Sequence, residues 1–231
     1  MITYESRNSG SGGFKNVGDS RFIIFVTNLQ TTGSKNTAIG QGTLQYNTTA
    51  SYNTALGDSS LNKNTTGASN TAVGRLALKV NTTGSSNVAM GQSALYTNTT
   101  GASNTATGYK ALYNNTTGSY NTALGQAALK NSTTASYNTA IGNDSLKANT
   151  TGDMNVGIGN SALLANTTGS KSIAIGVNAL LAHPTSGEQI AIGYNSLKAV
   201  TTSIRNTAVG HLTLNITTGS SNTALGYAAG S

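Results

Sequence analysis

Side chains able to do chemistry are sparse in this chain, and their spacing brings no set of them together. His183 and His211 are the only histidines among 231 residues. They occupy different places in a repeating pattern, so neither a metal pair nor a catalytic dyad follows. His183 lies in AHPTSG, which reads as a divergent corner of that pattern. Cysteine is absent, which excludes disulfides and thiolate metal sites. Asp19, Asp58, Asp144 and Asp153 are dispersed and do not form the GGxGxD calcium loop. The many glycines lack the lysine and following helix of a phosphate-binding loop. Neither an enzyme nor a bound cofactor or metal is expected. What remains is contact chemistry. Tyr52, Tyr120 and Tyr137 recur at multiples of seventeen residues, as do Lys79, Lys130 and Lys147. Exposed columns of tyrosine and lysine suit carbohydrate or an anionic surface, and equally suit solvation of a rod.

That spacing runs through most of the chain. A glycine closes an NTAxG segment at Gly40, Gly57 and Gly74, and the step of seventeen continues to Gly210; the last step, to Gly226, is sixteen. Four residues after the glycine comes a leucine, at Leu44, Leu61, Leu78 and each later copy up to Leu214. A fixed short period means one small unit stacked on copies of itself, each burying what its neighbour exposes. The chain therefore reads as an all-β parallel solenoid of about twelve coils. With strands about 4.8 Å apart, the rod is roughly 55 to 60 Å long.

Each coil is expected to hold two extended segments, NTAxG and the stretch bearing the leucine, with the two glycine positions marking corners. Around Ala38, Ala55, Ala72, Ala89, Ala106, Ala123 and Ala140 the flanking positions carry Thr, Val or Ile and Ile, Leu, Val or Met. This alternation predicts that the larger residues face the interior opposite the leucine column. The alanines then form an outer face that meets another surface closely. The glycine of NTTG is expected to supply a positive φ at a tight corner. Asn36, Asn53, Asn70, Asn87, Asn104, Asn121 and Asn138 begin the first segment and predict an amide ladder between coils. NTT also matches the glycosylation sequon, for example at Asn64, Asn81 and Asn98, as a by-product of the repeat.

The ends differ from the repeat. Residues 1–13 are polar and glycine-rich, an arm. Phe22, Ile23, Ile24, Phe25 and Val26 lie in the most apolar stretch and predict a strand within residues 1–30. It either caps the first coil or is donated to another subunit. Residues 31–226 are the repeat, and 227–231 form an open end at which more protein or another subunit is expected to continue. The formal charge is +7, yet lysines recur singly without a run or a nucleic-acid signature, so nucleic acid is not an expected partner. No apolar stretch long enough to span a membrane and no secretory leader is evident, so membrane insertion is not expected. Placement outside a cell or on a virion surface is expected by another route.

The segments NTAIG (Asn36 to Gly40), NTALG (Asn53 to Gly57) and SIAIG (Ser172 to Gly176) resemble the head repeats of trimeric YadA-like autotransporter adhesins. The longer unit GYKALYNNTTGSYNTALG (Gly108 to Gly125) looks even more like bacteriophage tail-fibre repeats. The resemblance implies a left-handed β-roll, a homotrimer, and a structural and adhesive role in a phage tail or bacterial surface appendage, in contact with a cell-surface glycan or receptor. Two alternatives stand beside it. One is a filament subunit joined head to tail through the N-terminal strand. The other is an ice-binding solenoid, against which Thr48 and Thr49 are adjacent rather than alternating.

Overall fold

The structure, a computed structural model, describes residues 32–185, 187–216 and 218–230. The expected assembly strand at Phe22, Ile23, Ile24, Phe25 and Val26 lies outside them. The described chain is a parallel β-solenoid: twelve three-residue strands, β1 (Thr37–Ile39) to β12 (Thr223–Leu225), form one sheet in sequence order. Pairing keeps the sequence register, with Ala38 opposite Ala55 and Ala208 opposite Ala224. The constant step of seventeen carries this register as far as Ala208, and the sixteen-residue last step is absorbed outside the strands, since a slip within them would turn their side chains over.

Only the NTAxG segment is a strand. The stretch bearing the leucine is a run of turns, although it too bonds from coil to coil: Leu61 N donates to Ala77 O at 2.9 Å and Leu78 N to Ala94 O at 3.0 Å. The leucines adopt the left-handed backbone region, with φ of 48° at Leu61 and 50° at Leu112. Leu61, Leu78 and their successors to Leu197 are fully buried. Burying a leucine contributes roughly 2 to 3 kcal/mol, which outweighs the roughly 1 to 2 kcal/mol of a left-handed residue. A β-branched side chain fits that backbone far worse. This accounts for leucine alone filling the column, whereas the strand positions vary freely among Ile, Leu, Val and Met.

The facing of the strand is the reverse of the expected one. Ala55, Ala72, Ala89, Ala106, Ala123 and Ala140 are completely buried within the single chain, packed against the leucines, and Ala38 packs partly buried against the same core. The flanking residues point outward, and Leu56, Met90 and Leu124 are 42 to 48% exposed. The reason is volume. Each coil encloses one leucine, the strand alanine, a small residue before the leucine such as Ala77, Ala94 or Ala111, and two corner residues that are mostly asparagines, which leaves the strand position room for a small side chain only. The alanine column is therefore interior lining and not an outer contact face.

The two glycine positions are required for different reasons. Gly57, Gly74 and Gly91 have φ of 124 to 127°, a region closed to most side chains. The NTTG glycines do not use positive φ; at Gly84 an added Cβ would collide with the carbonyl oxygen of Gly101 and lie 2.6 Å from Asn81 Oδ1. The positive φ falls two residues further on, as at Ser86 (59°) and Tyr120 (60°).

Candidate interaction surfaces

Two buried asparagine columns fix the coil before any surface is considered. In the first, Asn36 Oδ1 accepts from Asn53 N at 2.9 Å, Asn53 Oδ1 from Asn70 N at 2.9 Å and Asn70 Oδ1 from Asn87 N at 2.9 Å, continuing through Asn104, Asn121 and Asn138. The second comes from NTTG. Asn64, Asn81 and Asn98 are fully buried, and each donates its amide to the preceding copy: Asn81 Nδ2 to Asn64 Oδ1 and Asn98 Nδ2 to Asn81 Oδ1, both at 2.7 Å. These sequon matches are interior rungs whose amides are closed to modification. The seventeen-residue recurrence of that asparagine was the available signal for a second ladder, and its match to the sequon disguised it.

The second ladder breaks where its residue type changes. Ser132 and His183 occupy asparagine positions, and the preceding Asn115 Oδ1 and Asn166 Oδ1 are left without partners. At the later break Gln189 replaces the asparagine of the first column and reaches across to the Ser203 carbonyl with its Nε2. His183 is fully buried, its Nε2 3.3 Å from that carbonyl and 3.4 Å from Gln189 Nε2, with Nδ1 unpartnered. Burial lowers its pKa below the ordinary imidazole value, opposed only by the Ser203 carbonyl. AHPTSG is thus a divergent corner, filled with an imidazole instead of an amide.

Three exposed surfaces remain. The first is the outer face of the sheet. One rank begins Ile39, Leu56, Val73 and Met90, and the other begins Thr37, Thr54 and Thr71 and becomes Val156, Ile173 and Ile190 further along. The second is the corner bearing Tyr52, Tyr120 and Tyr137, which are 56 to 58% exposed. Tyr120 and Tyr137 stack with centroids 5.0 Å apart and planes 6° from parallel, while Lys35 Nζ donates to Tyr52 Oη at 3.1 Å. On the same corner Arg205 binds Glu188 at 2.9 Å, and its hydrogen bond and charge lower the Glu188 pKa.

The third surface is the arc of turns after each landmark glycine. It carries Lys79, Lys130 and Lys147, each half-buried, and Lys147 pairs with Asp144 at 3.1 Å. Tyr96 and Tyr113 stack at 5.1 Å and 8°. Lys79 Nζ lies 5.9 Å from the Tyr96 centroid, and Lys110 Nζ lies 5.0 and 5.7 Å from those of Tyr109 and Tyr113. Hydrogen bonding and charge from the Tyr109 hydroxyl raise the Lys110 pKa. Farther along, His211 sits edge-on between Tyr194 at 5.0 Å and Tyr227 at 5.3 Å. Tyr52, Tyr120 and Tyr137 therefore share one corner, and the three lysines share another. Sequence reasoning missed Tyr109, Lys110 and the Tyr194 string, which the same modular spacing would have placed. Among the described residues no three His, Asp or Glu side chains converge in a way that could hold a metal.

No protein family, curated protein or solved structure matches this chain.

Proposed function

We propose that the chain is a structural, adhesive fibre segment that associates with copies of itself through the outer face of its sheet. The observation carrying this reading is the apolar rank Ile39, Leu56, Val73, Met90, interrupted once by Thr107 and resumed by Leu124, Ile141, Ile158, Ile175, Ile192 and Val209. Scattered apolar residues are ordinary on a protein surface, but a continuous row is the mark of an interface. The row spans the twelve-stranded sheet and is backed by the hydrogen bonds that join coil to coil. Three rods meeting along such strips would form the homotrimer that the resemblance to YadA-like heads and tail fibres implies. The fibre itself performs no catalysis in this reading, and its place is outside a cell or on a virion.

The test is the solution mass by light scattering. Three times the chain mass of 23.3 kDa supports the trimer, and the double substitution Leu56→Lys with Leu124→Lys should return monomers that retain their β circular dichroism. A wild-type monomer overturns the reading.

An ice-binding solenoid is favoured by one observation. Thr54, Thr71, Thr105, Thr122 and Thr139 do stand in an outward rank of the sheet, interrupted by Val88, beside the aliphatic rank. Freezing-point hysteresis in a monomeric preparation would support it.

A further inference from the structure

Between residues 50 and 150 there are eight charged side chains, and every one falls within six residues after a landmark glycine. The strand and the tyrosine corner of those coils carry none. The arc therefore collects six cations and two carboxylates, a net charge of +4 along five coil steps, or about 24 Å at the usual strand spacing. Asp58 is paired with Arg75 at 3.6 Å and Asp144 with Lys147 at 3.1 Å. Lys63, Lys79, Lys110 and Lys130 pair with no carboxylate among the described residues.

We propose that this arc is a docking surface for a linear acidic polysaccharide lying along the rod. The inference rests on reading the chain as an adhesive segment, and it names the chemistry of what that segment grips. Single cations spaced from coil to coil along the arc match a partner whose carboxylates are themselves strung along an extended chain. Weak exposed pairs then add through multivalency, although each alone contributes little.

The tyrosines decide between partner classes. Sugar rings and nucleobases both bind aromatic residues through open ring faces, and single-stranded nucleic acid depends on such stacking platforms. At Tyr96 and Tyr113 those faces are taken. Tyr96 and Tyr113 stack on each other, Lys79 lies over Tyr96, and Lys110 lies over Tyr113. What the arc offers outward is ammonium groups and phenol edges, which suits carboxylates and hydroxyls better than neutral sugar faces or bases.

The experiment measures binding of the full chain to polygalacturonate at low ionic strength, with dextran and oligothymidylate as comparison probes. Polygalacturonate should bind, dextran should not, and added salt should release the complex. The substitution set Lys63→Gln, Lys79→Gln, Lys110→Gln and Lys130→Gln should weaken binding about tenfold or more, corresponding to roughly 1.4 kcal/mol. The control set Lys35→Gln, Lys171→Gln and Arg205→Gln removes three charges from the tyrosine corner and should change it by less than about threefold. Equal losses in both sets would reduce the effect to net charge and overturn the proposal, as would no binding or tighter binding of oligothymidylate. The mass of each preparation separates the two readings. A trimer that fails to bind overturns the docking surface alone, whereas a monomer that binds supports it and overturns the sheet-face association.

Discussion

Asn53 and Asn64 donate their side-chain amides to the same acceptor, the carbonyl of Gly67, at 3.0 and 2.8 Å. The first and last asparagines of one coil are thus tied to a single corner oxygen. Asn70 and Asn81 do the same at Gly84, and Asn87 and Asn98 at Gly101, all at 2.9 Å. A coil too thin to hold a large apolar core is closed by amides that are fully satisfied, which is the condition under which buried polar groups stabilise.

Where that condition fails, repair should stabilise. Ser132→Asn would offer a donor to the orphaned Asn115 Oδ1 and to Ala135 O, and an acceptor to the Asn149 amide. At about 1 kcal/mol per bond, a gain of roughly 1 to 3 kcal/mol is expected, read as a higher urea midpoint with unchanged slope. Asn98→Ala should do the reverse, because it removes bonds to Asn81 Oδ1 and Gly101 O and leaves the Asn115 amide with Gly118 O alone.

The leucine column should reject a branched isomer. Leu112→Ala is expected to cost about 2 to 5 kcal/mol through lost burial and the cavity left behind. Leu112→Ile conserves volume, yet it forces a β-branched residue to a φ of 50° and should cost about 1 to 3 kcal/mol, well above an ordinary isomer swap. Leu124→Ala, on the outer face, should leave chain stability nearly unchanged and weaken self-association instead. Chemical denaturation and light scattering separate these effects.

Glycine-to-alanine substitutions should rank by contact and conformation. Gly91→Ala meets both a φ of 127° and a Cβ placed 2.8 Å from the Gly108 carbonyl carbon. Gly226→Ala meets only the φ of 120°, with no neighbouring atom within 4 Å. The first should be severely destabilising and the second should cost about 1 to 3 kcal/mol. Thermal melts of the two variants check the order.

Acid should weaken the coil containing His183. Its pKa is lowered in the folded chain, so below the free-imidazole value the unfolded chain binds the extra proton. Stability is therefore full above about pH 6.5 and falls as the pH drops from there toward the folded pKa. The groups facing the ring are the Ser203 carbonyl and the Gln189 amide, and no charged side chain contributes to its shift. His183→Asn should flatten this dependence between about pH 7 and pH 5 in urea titrations, while an unchanged slope would assign it to other groups.

The period, the parallel register, the buried leucine column and the first amide ladder were legible in the sequence, because each is a one-dimensional property. A residue repeated every seventeen positions must stack on its own copies, and a stacked asparagine has its partner above and below. Alternation in NTAxG likewise placed Thr37 and Ile39 on one side and Ala38 on the other. It gave no sign to those sides, since period two fixes only relative facing. Only the closed coil decided that alanine faces inward, because beside Leu61, Ala77 and the buried Asn53 and Asn64 its cross-section leaves the strand position room for a side chain as small as Ala55. The same closure turned the NTTG asparagines inward and brought the Gly84 position against the Gly101 carbonyl, contacts that depend on how tightly successive coils approach. Sequence set what stacks on what, and the volume left inside the stack determined which side chains could enter it.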